Sequence, residues 1–183
     1  MGLGFLHGAA AACPADLLAR AKERGTCRLL VVRAAAAIPM QAAFEAFQAD
    51  IAEPVLVGEP KIIKAEAEKL GWTVPDDAII PAKGEVEAAS VSADLLRRGL
   101  AGEGPEISAV MKGQLHTDVF MGALLDKSVG LRTGTRLVHV FAIFPPDGTA
   151  PVMVSDAAVN VAPDDKTKQQ SMVQMARLSP LIG

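Results

Sequence analysis

Short apolar runs alternate with longer Ala-rich amphipathic stretches along this chain, and that alternation limits what it can fold into. Leu29-Leu30-Val31-Val32 is continuously apolar, the pattern of a strand buried on both faces. Pro54 to Gly58, Ile79-Ile80 and Ile107 to Met111 repeat it. Helical stretches lie between them. Pro14 and Asp16 open the first, which stops at Gly25, and another runs from about Met40 to Ala49 with Phe44 and Phe47 on one side. Pro60 starts a third, with Ile62, Ile63, Ala67 and Leu70 at helical period before Gly71. Glu87 to Arg98 is a fourth, closed by Gly99, and Thr117 to Asp126 a fifth. Leu137 to Phe144 and Pro151 to Val154 read as strands joined by a Pro-Pro-Asp-Gly turn at Pro145 to Gly148, and a last helix begins near Asp164. Strand–helix alternation predicts crossover units and a mostly parallel sheet covered by helices. The 183 residues suit one domain, 1–183, with no repeat or low-complexity linker.

Composition narrows the function. The formal charge of -3 gives no basic excess for nucleic acid, and one Trp with no Tyr gives no base-stacking platform. Cys13 and Cys27 are too few for a zinc ribbon or a disulfide scaffold. The apolar segment Met1 to Ala12 lacks a cationic start. Leu29 to Met40 is broken by Arg33 and Pro39, and is shorter than the roughly 20 residues a bilayer requires. The expectation is a cytoplasmic protein that binds neither membrane nor nucleic acid.

In a parallel sheet, ligands bind beyond the carboxyl ends of the strands, so the loops after strands carry the search. Met111-Lys112-Gly113-Gln114-Leu115-His116-Thr117 follows a strand and leads into a helix. Gly113 permits close backbone approach, Thr117 can cap the helix, and Lys112 adds a cation, which together describe a phosphate-binding turn. Spacing alone equally allows a capped helix with an exposed Lys. Gly130-Leu131-Arg132-Thr133-Gly134 is a turn that presents a guanidinium, suited to phosphate or carboxylate, or else a surface turn. Val154 to Asn160 ends a strand with Asp156 and Asn160, which could contact ribose, amide or phosphate-linked groups, or simply close an Asx turn. His116 is the histidine placed for a ligand. His139 reads as a strand residue, and His7 lies near the terminus. No histidine pair has metal-ligand spacing, so no bound metal is expected.

Taken in order, Met111-Lys112-Gly113 with His116-Thr117-Asp118, then Gly130-Leu131-Arg132-Thr133, then Ser155-Asp156-Ala157-Ala158-Val159-Asn160-Val161-Ala162-Pro163 resemble the phosphate acetyl/butyryl transferase family. The likeness is greatest to domains found alone or fused to a MaoC-type hydratase. Glu53-Pro54-Val55-Leu56-Val57-Gly58 matches that family's second strand, and the resemblance covers roughly Ala15 to Lys168. It implies a three-layer α/β/α fold like that of isocitrate and isopropylmalate dehydrogenases. It also implies acyl transfer between coenzyme A and phosphate without a metal or resident cofactor, coenzyme A being a substrate, and a homo-oligomer. Lys112, Gly113, His116, Thr117, Arg132, Thr133, Asp156 and Asn160 are then the substrate-binding candidates. Two departures stand out. Gly122 occupies a position where relatives often carry Arg. The family's C-terminal half, with its Ser-Arg pair and Asp base, has no counterpart here, so the expectation is an incomplete copy of the fold. The alternatives are a non-catalytic anion- or coenzyme A-binding regulatory module, and a degenerate fragment.

Overall fold

The computed structural model describes residues 14–132, 134–145, 149–156, 159–160 and 162–182. His7, Cys13, Thr133 and most of the Pro145 to Gly148 turn, all named above, lie outside the described residues. The first helix, α1, is Ala15–Glu23, and Gly25 ends it in a left-handed conformation (φ 79°). The chain gathers into two compact units, residues 22–133 and the flanking stretches 1–21 and 134–183.

The larger unit holds four parallel strands, β1 (Cys27–Val32), β2 (Ala52–Gly58), β3 (Ile79–Pro81) and β4 (Ala109–Lys112), in the order β3-β2-β1-β4. Helices α2 (Ala37–Gln48), α3 (Pro60–Lys69) and α4 (Gly84–Leu100) form the crossovers, and α5 (Thr117–Leu124) follows β4. Side chains alternate along β1. Leu30 and Val32 pack with Ala88, Ala89, Ala93 and Leu96 of α4 and Leu124 of α5. Val31 faces the other way, with Met40, Ala43, Ile63 and Ala67 of α2 and α3, and with Trp72. Leu30, Val31 and Val32 are wholly buried, which explains why β1 reads as an unbroken apolar run rather than an alternating one. The alanines on α4 recur with Ser92 and Leu96 at helical spacing, and their small side chains let the helix lie close on the sheet. The result is the expected three-layer α/β/α arrangement around a parallel sheet.

Three boundaries differ from expectation. Helix α2 begins three residues before Met40, because Pro39 falls in the first turn, where its missing N–H costs no helical bond. Helix α4 begins at Gly84 and passes through Gly99 to Leu100, and the left-handed glycine beyond its end is Gly102 (φ 73°). Gly99 is small for another reason: a Cβ there would lie 2.5 Å from the Pro105 carbonyl oxygen of the returning loop. Thr117 does not cap α5. It is already the first helical residue, His116 holds the capping position, and no side chain caps from within it.

In the second unit β5 (Val140–Ile143) and β6 (Val152–Ser155) pair antiparallel as a separate two-stranded ribbon, Phe141 opposite Val154 and Ile143 opposite Val152. Strand β5 is shorter than the run from Leu137 to Phe144 suggests, and β6 keeps the expected length but lies one residue further on. Helix α6 (Asp165–Ile182) follows, its start fixed by the Asp164 carboxylate accepting from the Thr167 N–H at 2.8 Å.

Candidate functional site

The strand order fixes where a site can form. From β1 the chain moves outward through β2 to β3, then returns to place β4 on the other side of β1. The order therefore reverses between β1 and β4, and a crevice at such a reversal opens beyond the carboxyl ends of the strands. The strand ends are level: Val32 pairs with both Val57 and Lys112, and Gly58 with Pro81. The residues just after them, Arg33, Glu59, Ala82 to Glu85, and Gly113 to His116, share one rim.

The loops after β1 and β4 are joined by backbone. The Gly113 N–H donates to Val32 O and the Gln114 N–H to Arg33 O, both at 2.9 Å. A Cβ on Gly113 would collide with the Arg33 and Val32 carbonyl oxygens, so glycine is required there for close approach. Arg33 adopts a left-handed backbone conformation (φ 55°), which costs a non-glycine residue about 1–3 kcal/mol unless its surroundings hold it. They do. Its Nη1 donates to the Gln114 carbonyl at 2.7 Å and to Glu85 Oε1 at 3.3 Å, and Nη2 lies 3.7 Å from Glu59 Oε1. One guanidinium thus ties together the loops after β1, β2, β3 and β4. Arg33 Nε and Glu59 Oε2 are buried without a hydrogen-bond partner in the protein.

Both carboxylates sit where backbone N–H groups converge. Glu59 Oε1 accepts from Gly84 N–H at 2.9 Å, at the start of α4. Burial pushes its pKa up, but the N–H of Gly84 and the charge of Arg33 prevail and hold it below the usual carboxylate value. Glu85, in the first turn of α4, uses Oε2 twice: it accepts from the His116 N–H at 2.8 Å and meets His116 Nδ1 at 2.7 Å. That backbone bond satisfies the N–H of the capping residue itself, as the carboxylate of a capping box does. It is the largest cause of the lowered Glu85 pKa, followed by the imidazole. The hydrogen bond and charge of Glu85 in turn raise His116 above its ordinary value, with Asp118 assisting and Lys112 opposing. The His116 side chain is 78% exposed, so with Nδ1 engaged the ring offers Nε2 outward.

Lys112, Gly113, His116 and Thr117 therefore lie on one rim, Lys112 exposed at the end of β4 and near enough to His116 to affect its titration. Arg132 is exposed beyond α5, an eight-residue helix about 12 Å long, and beyond a short 3-10 turn at Lys127–Val129. There its charge acts on Asp126. Asp156 and Asn160 belong to the second unit, where their side chains are engaged locally. Asn160 Nδ2 donates to Asp156 Oδ1 at 2.6 Å and to Leu137 O at 3.2 Å, and Arg136 donates to Asn160 Oδ1 at 3.3 Å. Ser171 of α6 donates to Asp156 Oδ2 at 3.1 Å. Asp156 carries a left-handed backbone (φ 62°), as an Asx-type turn at a strand end permits. Arg33, Glu59 and Glu85 were not singled out from the sequence, although Arg33 and Glu59 stand directly after strands and Glu85 opens the helix after β3. Among the described residues no group of His, Cys, Asp and Glu could hold a metal ion, and no helix is long and apolar enough to cross a membrane.

No family model matches the chain. It is 31% identical over 167 residues to the phosphate acetyltransferase of Rickettsia felis, an alignment covering 91% of this chain and 46% of that one. It is 33% identical over 154 residues to the phosphate butyryltransferase of Clostridium beijerinckii, covering 84% and 49%. Among solved structures, a phosphotransacetylase from Streptococcus pyogenes superposes with a TM-score of 0.71 at 14% identity, over 92% of this chain and 60% of that one. The resemblance read from the loops is thus a relationship extending over most of the chain, and the fold agrees. The chain spans about half the length of the curated relatives it matches.

Proposed function

We propose that this chain, related in sequence and fold to phosphate acetyl- and butyryltransferases, binds acyl phosphate and coenzyme A for acyl transfer to or from phosphate. One observation supports this most: the segment Lys112 to Thr117 closes the reversal point of the sheet, in a chain whose similarity to those enzymes covers 91% of its length. Transfer from acyl phosphate forms a sulfur–carbon bond, breaks the carbon–oxygen bond to phosphate, and releases the thiol proton and the phosphate. Charge grows on the carbonyl oxygen and the leaving phosphate, where Lys112 and nearby N–H groups would act electrostatically. Arg132, Thr133, Asp156 and Asn160 remain candidates for contacts to either substrate, coenzyme A being a substrate rather than a resident cofactor. No metal is required by this reading. It also carries a cytoplasmic setting and a homo-oligomer.

A second reading is an anion- or coenzyme A-binding module without transfer. Thioester formation from acetyl phosphate and coenzyme A decides between them. Turnover supports transfer, and coenzyme A binding without turnover supports the module. Lys112→Ala should weaken acetyl phosphate binding several-fold with an unchanged thermal melt. Unaltered affinity by calorimetry would remove Lys112 from the site.

A further inference from the structure

We propose that Glu85, braced by Arg33, is a positioning residue for His116, and that the resulting Glu85–His116 pair recognises the phosphoryl group of the substrate through the outward imidazole nitrogen. This rests on the acyl phosphate reading above and adds which group supplies the positive charge at the rim. Glu85 Oε2 holds both the backbone N–H and Nδ1 of His116, which fixes the ring relative to the start of α5. Glu85 Oε1 is held in turn by the Arg33 guanidinium, itself tied to the Gln114 carbonyl two residues before His116. The pair is therefore anchored to β1, α4 and the loop after β4, while its free nitrogen faces outward from a side chain 78% exposed.

Charge bookkeeping says why the imidazole matters. The groups acting on His116 are Glu85 from α4, Asp118 from its own helix and Lys112 from β4. Arg33 stands behind Glu85, with Glu59 behind Arg33. Two cations, Lys112 and Arg33, thus face three carboxylates, leaving no fixed positive excess. The Arg33 guanidinium is turned to Gln114 O, Glu85 and Glu59, with its Nε buried, so an incoming dianion meets Lys112 and whatever charge the imidazole carries. A carboxylate on Nδ1 favours the imidazolium and directs its remaining N–H to the ligand. The bond is a charge-assisted one to a phosphoryl oxygen.

The experiment measures sulfate and acetyl phosphate binding by calorimetry from about pH 6 to about pH 9, a range across which sulfate keeps a constant charge and His titrates. In the unaltered protein sulfate affinity should fall roughly two- to fivefold as pH rises, the yield of an ion pair in an exposed site. Glu85→Gln should weaken binding at the acid end, and it should lower the midpoint of the His116 imidazole signal in NMR, a change that a merely structural role would not produce. His116→Gln, which leaves Glu85 in place, should flatten the profile and identifies the signal. If Glu85→Gln fails to fold, the His116→Gln profile alone decides. Binding that is independent of pH in the unaltered protein, or a profile unchanged by His116→Gln, overturns the proposal and leaves the acyltransferase reading intact. Absence of any acetyl phosphate or coenzyme A binding overturns that reading, and this one with it.

Discussion

Replacing Gly113 by Ala tests the joint on which the candidate site rests. A methyl group at that Cα would collide with the Arg33 carbonyl oxygen. It would also lie 2.6 Å from Val32 O and 2.8 Å from the Arg33 carbonyl carbon. All three are backbone atoms of a strand end paired on both sides, so no rotamer relieves the overlap. The chain has two responses. It can hold the loops together and carry the strain, which for overpacking costs about 1–3 kcal/mol. Or it can part them, losing the bonds Gly113 N–H to Val32 O, Gln114 N–H to Arg33 O and Arg33 Nη1 to Gln114 O. Three bonds at about 1 kcal/mol each give about 3 kcal/mol. The cheaper route prevails, so the loss should be about 1–3 kcal/mol. Gly122→Ala is the matched control: nothing lies within 4 Å of its built Cβ, and it occupies the interior of α5. There alanine should stabilise by about 0.5–1 kcal/mol. Urea unfolding at constant m reads both. A Gly113→Ala loss below about 1 kcal/mol, or equal effects at the two positions, would refute the account of a backbone joint between β1 and β4.

Stability against pH follows from the same pair. The folded-state pKa of Glu85 lies below 4.5, so its contribution is complete above that value and fades as pH falls through the lowered one. That of His116 lies above 6.5, so its contribution is complete below that value and fades as pH rises through the raised one. The pair should stabilise the fold most between 4.5 and 6.5. A difference in urea midpoint between the unaltered protein and His116→Gln that stays constant from about pH 5 to about pH 9 would count against the contact. Arg132→Lys keeps the charge but loses the planar fork, so coenzyme A affinity should drop if Arg132 grips phosphate bidentately. Equal affinity would favour an exposed turn residue.

The fold was legible because its signals are local. A continuous apolar run needs no partner to declare a buried strand, and Leu29 to Val32 is one. Pro60 at the first turn of α3 marked a helix start for the same reason. Glycine was legible only as small or permissive. At Gly99 that ambiguity misplaced a helix end, since the true reason for a missing Cβ is the Pro105 carbonyl six residues on. Thr117 misled similarly: its residue type suits a cap, but the backbone enters the helix one residue earlier.

The Arg33 cluster was illegible for a topological reason. Its bonds to Glu85 and Gln114 span 52 and 81 residues, and no spacing rule reaches that far. What brings these residues together is the return of β4 to the free side of β1, a placement that strand–helix alternation permits without specifying. Once that order is granted, the rest follows from strand length. Level strand ends put the next residue of each loop on the same rim, and those residues include Arg33, Glu59 and, in the first turn of α4, Glu85. An Arg directly after a buried strand end therefore marks the reversal point as surely as the Lys-Gly loop does. Its charge must be met by carboxylates arriving from neighbouring strand ends, because a partly buried guanidinium without them would be costly. That same requirement explains the rim's lack of fixed positive excess, and hence why, in the proposal above, its attraction for anions rests on the proton of His116.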